Sequence, residues 1–246
     1  MILLDLEICN KEDDEMNNNT GEDINAYSSV GEYVYAEIRR QIINWQLKPG
    51  QRISEAEMSK VLNVSRTPVR EGFIRLKNEG LVEILAQRGT IISKIDLKKV
   101  KEGVFIRKCL EREVVREIAG KMSIDSIKKG RKYLLRQEEA LIDEDYIKFH
   151  EYDILFHKLF FEEADKVYTW EMLQLSDTQY DRVRMLTLLD FNKFSSLLED
   201  HKEILNAVIE GDFNRASKDM DYHIDLVFKE IEVLKKEYAD YFIDGE

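Results

Sequence analysis

The distribution of proline constrains the fold most strongly. Both prolines of the chain, Pro49 and Pro68, lie in its first third, and none follows them. From residue 96 onward apolar side chains recur every three or four residues, as they do along one face of a helix. The pattern predicts six helices, at residues 96–120, 124–142, 144–165, 168–188, 192–210 and 212–237. Short connections between long helices are typical of an antiparallel bundle, so we predict an all-α bundle for residues 96–246.

Residues 29–95 have a different pattern, with shorter elements. A helical pattern over residues 33–47 stops at Pro49, and the capping box at Ser54 opens a second helix. A third helix precedes Gly80, and the β-prone runs 81–85 and 90–93 flank a four-residue turn. Three short helices followed by a small hairpin predict a winged helix-turn-helix. The predicted fold class is therefore mostly α, with one small β-hairpin wing.

Composition excludes several classes of protein. The two cysteines, Cys9 and Cys109, are too far apart for a metal finger and too few for a disulfide scaffold, which favours a reduced, cytoplasmic protein. The start, MILLDLE, lacks the positive charge of a signal peptide. No apolar run approaches the ~20 residues that span a bilayer. We therefore expect neither secretion nor a membrane partner.

The net charge of −12 is unevenly distributed. Residues 1–28 carry eight acids and one base, are rich in Asn and contain few aliphatic side chains, so we predict a disordered acidic tail that acts as a spacer. Residues 29–95 carry seven acids and eleven bases. A basic segment within an acidic protein indicates a local site for an anionic partner.

The third helix of the basic segment has the residues of a DNA-reading helix. Arg66 and Arg70 are four apart and share a face opposite the apolar positions, with Thr67 between them. Arg88 and Gly89 lie at the tip of the hairpin, where an arginine can enter a groove and a glycine lets the backbone approach DNA. A solvated charged helix face is the alternative interpretation.

This segment resembles the N-terminal domain of the GntR family of bacterial transcription regulators. The resemblance covers about sixty residues and is carried by PG-x-R-I-S-E, V-S-R-T-P-V-R-E and E-G-L-V. Gly72-Phe73 departs from the Ala-Leu that is usual in the family. The resemblance implies that double-stranded DNA is contacted by Ser65, Arg66, Thr67, Arg70, Arg88 and Gly89.

The four histidines all fall in the predicted bundle. Asp153 and His157 are four apart on one helix, and His201 and His223 lie at similar distances from the turn near residue 211. Three imidazoles and a carboxylate suit a divalent ion such as Zn²⁺, Ni²⁺, Mn²⁺ or Fe²⁺. Spacing alone also admits His150, seven residues before His157, and scattered histidines without a metal.

The C-terminal half resembles the FCD ligand-binding domain of the FadR subfamily of GntR regulators. The matching pieces are F-I-R-K-C-L-E, Y-D-I-L-F-H-K-L, E-D-H-K-E-I-L-N-A-V-I-E-G-D and M-D-Y-H. The resemblance implies a divalent metal on Asp153, His157, His201 and His223, and leaves His150 outside the set. It also implies that Arg107 meets an effector carboxylate, whereas an ordinary ion pair with Glu111 is the alternative.

The sequence thus predicts a metabolite-responsive transcription regulator rather than an enzyme. Its expected partners are a palindromic DNA operator, a small organic acid and a second copy of the chain. A metalloenzyme with a three-His one-Asp site and a regulator that senses the metal itself are the alternatives. The effector, the metal, the operator and the choice between repression and activation are not determined by the sequence.

Overall fold

The computed structural model describes residues 27–86, 88–188 and 194–243. The predicted acidic tail lies outside these residues, except for its last two positions. The mostly α-helical fold class is confirmed, with a small antiparallel sheet after the helix-turn-helix. None of the helices in the described ranges is long and apolar enough to cross a membrane.

The N-terminal unit, residues 30–92, is called the head here. Its helices are α1 (Val30–Ile43), α2 (Glu55–Val61) and α3 (Arg66–Asn78). They pack around a core that includes Val34, Ile38, Val69, Phe73 and Leu76. Gly72 permits α1 and α3 to approach closely, because a Cβ there would lie 3.1 Å from Cγ1 of Val34. The glycine that replaces the usual alanine of the family at this position therefore allows α1 to pack closely against α3.

The wing contains one strand more than the sequence predicted. Strands β2 (Val82–Leu85) and β3 (Gly89–Ile92) form the expected hairpin, and β1 (Arg52–Ile53) adds to the free edge of β3. Two residues are too short to show the alternation that identifies a strand, so this pairing could not be predicted.

The C-terminal helices, residues 97–237, are called the bundle here. They are α4 (Leu97–Ile118), α5 (Ile124–Ile142), α6 (Tyr146–Glu163), α7 (Val167–Ser176), α8 (Thr178–Thr187), α9 (Phe194–Glu210) and α10 (Phe213–Glu237). The helix predicted at residues 168–188 is two helices, which meet at Asp177. Ser176 donates its hydroxyl to the Leu173 carbonyl, and Asp177 is fully buried with its carboxylate 3.3 Å from Nε of Arg107. Side chains of this kind compete with helical hydrogen bonds.

The head packs directly on the bundle. The first helix ends at Ile43 rather than at residue 47, and Trp45 has a φ of 60° that turns the chain. The indole of Trp45 lies in the core of the bundle and donates from Nε1 to the Arg182 carbonyl at 2.9 Å. Near the chain end, Ile95 pairs with Phe242 in a parallel β-bridge. The Trp45 contact fixes the head against helix α8.

Candidate metal centre and nucleic-acid interface

The four sequence-predicted ligands come together inside the bundle. Helix α6 supplies Asp153 and His157, α9 supplies His201, and α10 supplies His223. One ligand atom from each residue lies within 4.8 Å of the other three, and all four side chains are buried. Nε2 of His201 is 3.2 Å from both Oδ1 of Asp153 and Nε2 of His223. Nε2 of His157 is 3.9 Å from the same Asp153 oxygen.

The opposite ring nitrogens face outer oxygen atoms. Nδ1 of His157 contacts Glu111, and Nδ1 of His201 lies 2.7 Å from Oε1 of Gln137. Nδ1 of His223 is 3.8 Å from the Asp200 carboxylate, which is too far for a hydrogen bond. Hydrogen-bonded outer partners such as Glu111 and Gln137 orient metal-binding imidazoles and select their tautomer. The sequence reasoning missed Gln137 and Asp200, which carry no metal-ligand pattern, and considered Glu111 only as a partner of Arg107.

The donor set fits a cation. When Nδ1 donates to an outer oxygen, Nε2 presents a lone pair, so the centre holds imidazole lone pairs and a carboxylate facing one another. Oδ2 of Asp153 and Nε2 of His157 are buried without a hydrogen-bond partner among the described residues, whereas Oδ1 of Asp153 faces Arg184 and His201. Buried acceptors without donors are costly, and a divalent ion bound by all four residues would satisfy them.

Electrostatics keep the candidate ligands in their metal-binding forms. Burial lowers the pKa of His201, and burial together with the neighbouring imidazoles lowers the pKa of His223 well below its usual value. Burial alone would raise the pKa of Asp153, but Arg184 and the adjacent imidazoles hold it well below its usual value. At neutral pH the imidazoles of His201 and His223 are therefore neutral and the Asp153 carboxylate is ionised, as metal binding requires.

Two buried arginines flank the centre. Nε of Arg107 lies 2.5 Å from Glu111 and 3.3 Å from Asp177, so the ion pair with Glu111, the alternative to an effector contact, is present. Burial alone would raise the pKa of Glu111, but Arg107 and His157 lower it to about 2. Arg184 forms an ion pair with Asp153 and also lines a cavity of about 90 Å³ beside His223. This cavity has the size of a few water molecules.

His150 lies on α6 and is buried, with neither ring nitrogen hydrogen-bonded among the described residues. His150 does not belong to the group of four residues whose ligand atoms lie within 4.8 Å of one another. Burial, assisted by the charge of Arg184, lowers the pKa of His150 to about 4. This imidazole is therefore neutral in the folded chain at pH values where an exposed histidine is already charged.

The His150 pKa predicts an acid-dependent loss of stability. As the pH falls from 6.5 to 4, the unfolded chain binds a proton at this residue that the folded chain does not, so the free energy of unfolding decreases. The slope should reach about 1.4 kcal/mol per pH unit, or about 3 kcal/mol over the window. Denaturant unfolding of metal-free protein at several pH values should give a shallower slope for His150→Gln. Parallel slopes for variant and parent would contradict the assignment.

The predicted DNA-contacting residues lie on the exposed surface of the head. Ser65, Arg66, Thr67 and Arg70 are exposed at the start of α3. Ser65 is the N-cap of this helix, yet its side chain makes no capping hydrogen bond, so the hydroxyl is available to a ligand. Arg66 and Arg70 form no ion pair with a carboxylate among the described residues. A helix N-terminus with free donors suits a phosphate group.

The tip of the wing is also exposed. Arg88 and Gly89 follow the turn after β2, and Gly89 has a φ of 89°, a conformation that side chains with a Cβ rarely adopt. The sheet therefore holds Arg88 outward at the tip of the hairpin.

Comparison with known proteins places the chain in a family. Residues 31–92 match the bacterial regulatory proteins of the gntR family, and residues 102–226 match the FCD domain. The chain is 31% identical over 219 residues to the HTH-type transcriptional repressor RspR of Escherichia coli K12, covering 89% of this chain and 96% of that relative.

Solved structures share the fold. E. coli McbR/YncC superposes with a TM-score of 0.73 at 17% identity, covering 86% of this chain and 100% of that one. A putative GntR regulator from Rhodococcus sp. RHA1 gives a TM-score of 0.71 at 22% identity, covering 82% and 97%. Identities this low show the fold alone. The two superpositions and the two family matches agree with an architecture in which a DNA-binding head packs on a helical bundle. The chain belongs to the GntR family of DNA-binding transcription regulators, with an FCD domain as its C-terminal part, and it is not an enzyme.

Proposed function

We propose that this regulator holds a divalent metal ion in its bundle and that a small organic acid binds beside the ion to control operator binding. The observation that carries the proposal is the convergence of Asp153, His157, His201 and His223 next to the cavity lined by Arg184. Four protein ligands leave coordination positions open on an octahedral ion. When bound, the ion supplies positive charge that attracts and orients a carboxylate.

The arginines support an acidic effector. A guanidinium presents donors in a planar fork that matches a carboxylate. Arg184 lines the cavity, and Nη1 of its guanidinium is buried without a hydrogen-bond partner among the described residues, while Nη2 forms the ion pair with Asp153. Arg107 lies behind, between Glu111 and Asp177. The effector contact of Arg107 stays a prediction, and Arg184 is the better placed of the two because it lines the cavity.

We propose that the start of α3 and the wing tip contact the operator. Arg66 and Arg70 would read base edges from one face of the helix, and Ser65 and Thr67 would bind phosphates at its N-terminus. Arg88 and Gly89 would approach an adjacent groove. Their exposure supports this assignment, as does the lack of a carboxylate ion pair to Arg66 and Arg70 within the described part of the chain.

We propose a homodimer, because two heads related by a two-fold axis match a palindromic operator. Helix α7 presents an exposed apolar stripe at Tyr168, Met172 and Leu175, which lie four and three residues apart on one face. Contiguous exposed apolar surface of this kind is typical of protein interfaces.

Sedimentation equilibrium at micromolar concentration should therefore give twice the mass of the chain. Leu175→Asp places a charge in the stripe and should shift the protein toward monomer, with a weaker affinity for the operator. Ile142→Asp is the matched control, because Ile142 is equally apolar and exposed but lies on α5. A monomeric parent protein with full operator affinity would count against the homodimer.

Thermal shift measurements test the metal and the effector together. Protein stripped by a chelator should be stabilised by Zn²⁺ or Mn²⁺, and metal-loaded protein should be stabilised further by one member of a panel that includes acetate, gluconate and citrate. A ligand that binds only the folded state stabilises it by about 2.7 kcal/mol at one hundred times its Kd. Stabilisation by an acid without metal would contradict the proposal.

Operator binding separates the remaining alternative, a regulator that senses the metal itself. Under the proposal, the matching acid changes operator affinity at constant metal saturation. In a metal sensor, metal binding changes operator affinity but no acid changes it at constant metal saturation.

A further inference from the structure

Helix α8 lies between the candidate metal centre and the head. Every residue from Thr178 to Leu186 is buried, so the helix has no solvent-exposed face along this span. A helix enclosed on all sides transmits a displacement, because close-packed neighbours cannot absorb it by compression. A displacement of α8 can therefore be transmitted only between the parts of the molecule that its two sides contact.

On the bundle side, α8 is tied to the metal centre through Arg184. The guanidinium of Arg184 forms an ion pair with Asp153, one of the four candidate ligands. The ring of Tyr180, one turn earlier on the helix, lies 5.5 Å from the Arg184 guanidinium and 5.0 Å from that of Arg107. Asp153 thus has two possible cationic partners, a side chain of α8 and a bound ion.

On the other side, α8 contacts the head at Trp45 and the segment that follows the wing at Ser93 and Asp96. The guanidinium of Arg182 donates from Nη2 to the Ser93 carbonyl at 2.7 Å, and its own carbonyl accepts from Nε1 of Trp45 at 2.9 Å. Oε1 of Gln179 accepts from the Asp96 amide at 3.4 Å. Ser93 directly follows β3, so the Arg182 contact holds the base of the wing.

Arg182 is an unusual residue for this position. It is 1% exposed, and no carboxylate forms an ion pair with it among the described residues. Burial lowers its pKa to about 10. A buried guanidinium without a counter-ion depends on the carbonyl groups that surround it. A small displacement of α8 would therefore leave Arg182 unsatisfied unless the segment at Ser93 follows the helix.

We propose that α8 transmits a change at the metal centre to the wing. Arg184 responds to the cation that Asp153 binds, and Arg182 passes the displacement of α8 to the segment at Ser93. When Asp153 engages a cation, Arg184 loses its carboxylate partner and α8 changes position. Arg182 and Gln179 then carry Ser93 and Asp96 with them, which alters how the wing meets DNA. Arg182 is a positioning residue in this account, and the inference rests on the metal site proposed above.

The test uses full-length, chelator-stripped protein and Zn²⁺ alone as the probe. Operator affinity is measured with and without one equivalent of Zn²⁺, on a duplex selected from random sequences by the parent protein. Amide hydrogen exchange of residues 93–97 is followed in parallel. Arg182→Met removes the guanidinium and keeps the aliphatic stem. Arg215→Met is the matched control, because Arg215 forms its ion pairs with Glu203 and Glu210 on the outer face of the bundle.

Parent and Arg215→Met should change operator affinity by about fivefold or more on Zn²⁺ binding, a typical allosteric coupling. Exchange at residues 93–97 should change with it. Arg182→Met should bind Zn²⁺ with unchanged stoichiometry, yet its operator affinity should change less than about twofold. If Arg182→Met does not fold, Trp45→Phe is measured in its place, because it removes the indole donor to the Arg182 carbonyl and keeps an aromatic ring. A reduced change of operator affinity on Zn²⁺ binding in Trp45→Phe supports the coupling.

A full Zn²⁺ response in Arg182→Met, or in Trp45→Phe where that variant decides, would overturn the coupling. Stoichiometric Zn²⁺ binding to the parent with no change in operator affinity would overturn the coupling while the metal site stands. Failure of the parent to bind Zn²⁺ would overturn both.

Discussion

Replacing His201 by alanine should reduce the metal content of the purified protein from one ion per chain to almost none, and His223→Ala should do the same. His201 and His223 come from different helices, α9 and α10. The loss of either one removes a ligand, and the metal then no longer links that helix to the Asp153–His157 pair on α6. Loss of an outer hydrogen-bond partner typically lowers metal affinity by about 10- to 100-fold, and loss of a direct ligand should exceed that range. Thermal stability should fall in step with metal content.

Two further variants sharpen this result. His150→Gln should keep its metal, because His150 lies on the same helix but outside the converging group. Glu111→Gln should retain the ion with an affinity lowered by about 10- to 100-fold, since it weakens the contact that orients His157. Elemental analysis and titration with a competing chelator measure both quantities. Stoichiometric metal in both alanine variants, or loss of metal in His150→Gln alone, would refute the ligand assignment.

Alanine at Arg66 or Arg70 should abolish sequence-specific DNA binding while fold and metal content stay intact. Both side chains are exposed at the start of α3 and form no ion pair with any carboxylate that the structure describes, so their removal leaves the head core unchanged. A base-contacting arginine contributes about 1–3 kcal/mol of discrimination per contact. A two-fold dimer would lose that contribution at both half-sites.

Fluorescence anisotropy with the selected operator and a scrambled duplex measures this loss of discrimination. Arg88→Ala should weaken binding to both duplexes with a smaller effect on sequence preference. Arg215→Ala, on the outer face of the bundle, serves as the control and should bind like the parent. Parental operator affinity in both Arg66→Ala and Arg70→Ala would show that another surface reads the DNA.

Strong local patterns in the sequence predicted the fold class, and the family resemblance supplied the set of four clustered residues. Asp153 and His157 share a helix face by their spacing, and helical periodicity identifies α9 and α10. The break at Asp177 was missed because apolar periodicity continues on both sides of it. Its cause is the burial of the Asp177 carboxylate against Arg107, which is a tertiary contact.

The outer partners of the imidazoles were missed for a related reason. Gln137 reaches His201 across a sequence separation of 64 residues, and no local motif marks it. The role of Arg184 likewise depends on the packing of α8 against Asp153. Spacing within one helix can be read from sequence, whereas the pairing of side chains across helices requires the assembled bundle.

The central claim is that these four side chains hold a metal ion in a GntR regulator. Anomalous diffraction from crystals of Zn²⁺-loaded protein, collected on both sides of the zinc absorption edge, tests it most directly. We expect one peak per chain, about 2.0–2.2 Å from Nε2 of His157, His201 and His223 and from a carboxylate oxygen of Asp153. A peak bound by other residues, or no peak inside the bundle, would contradict it.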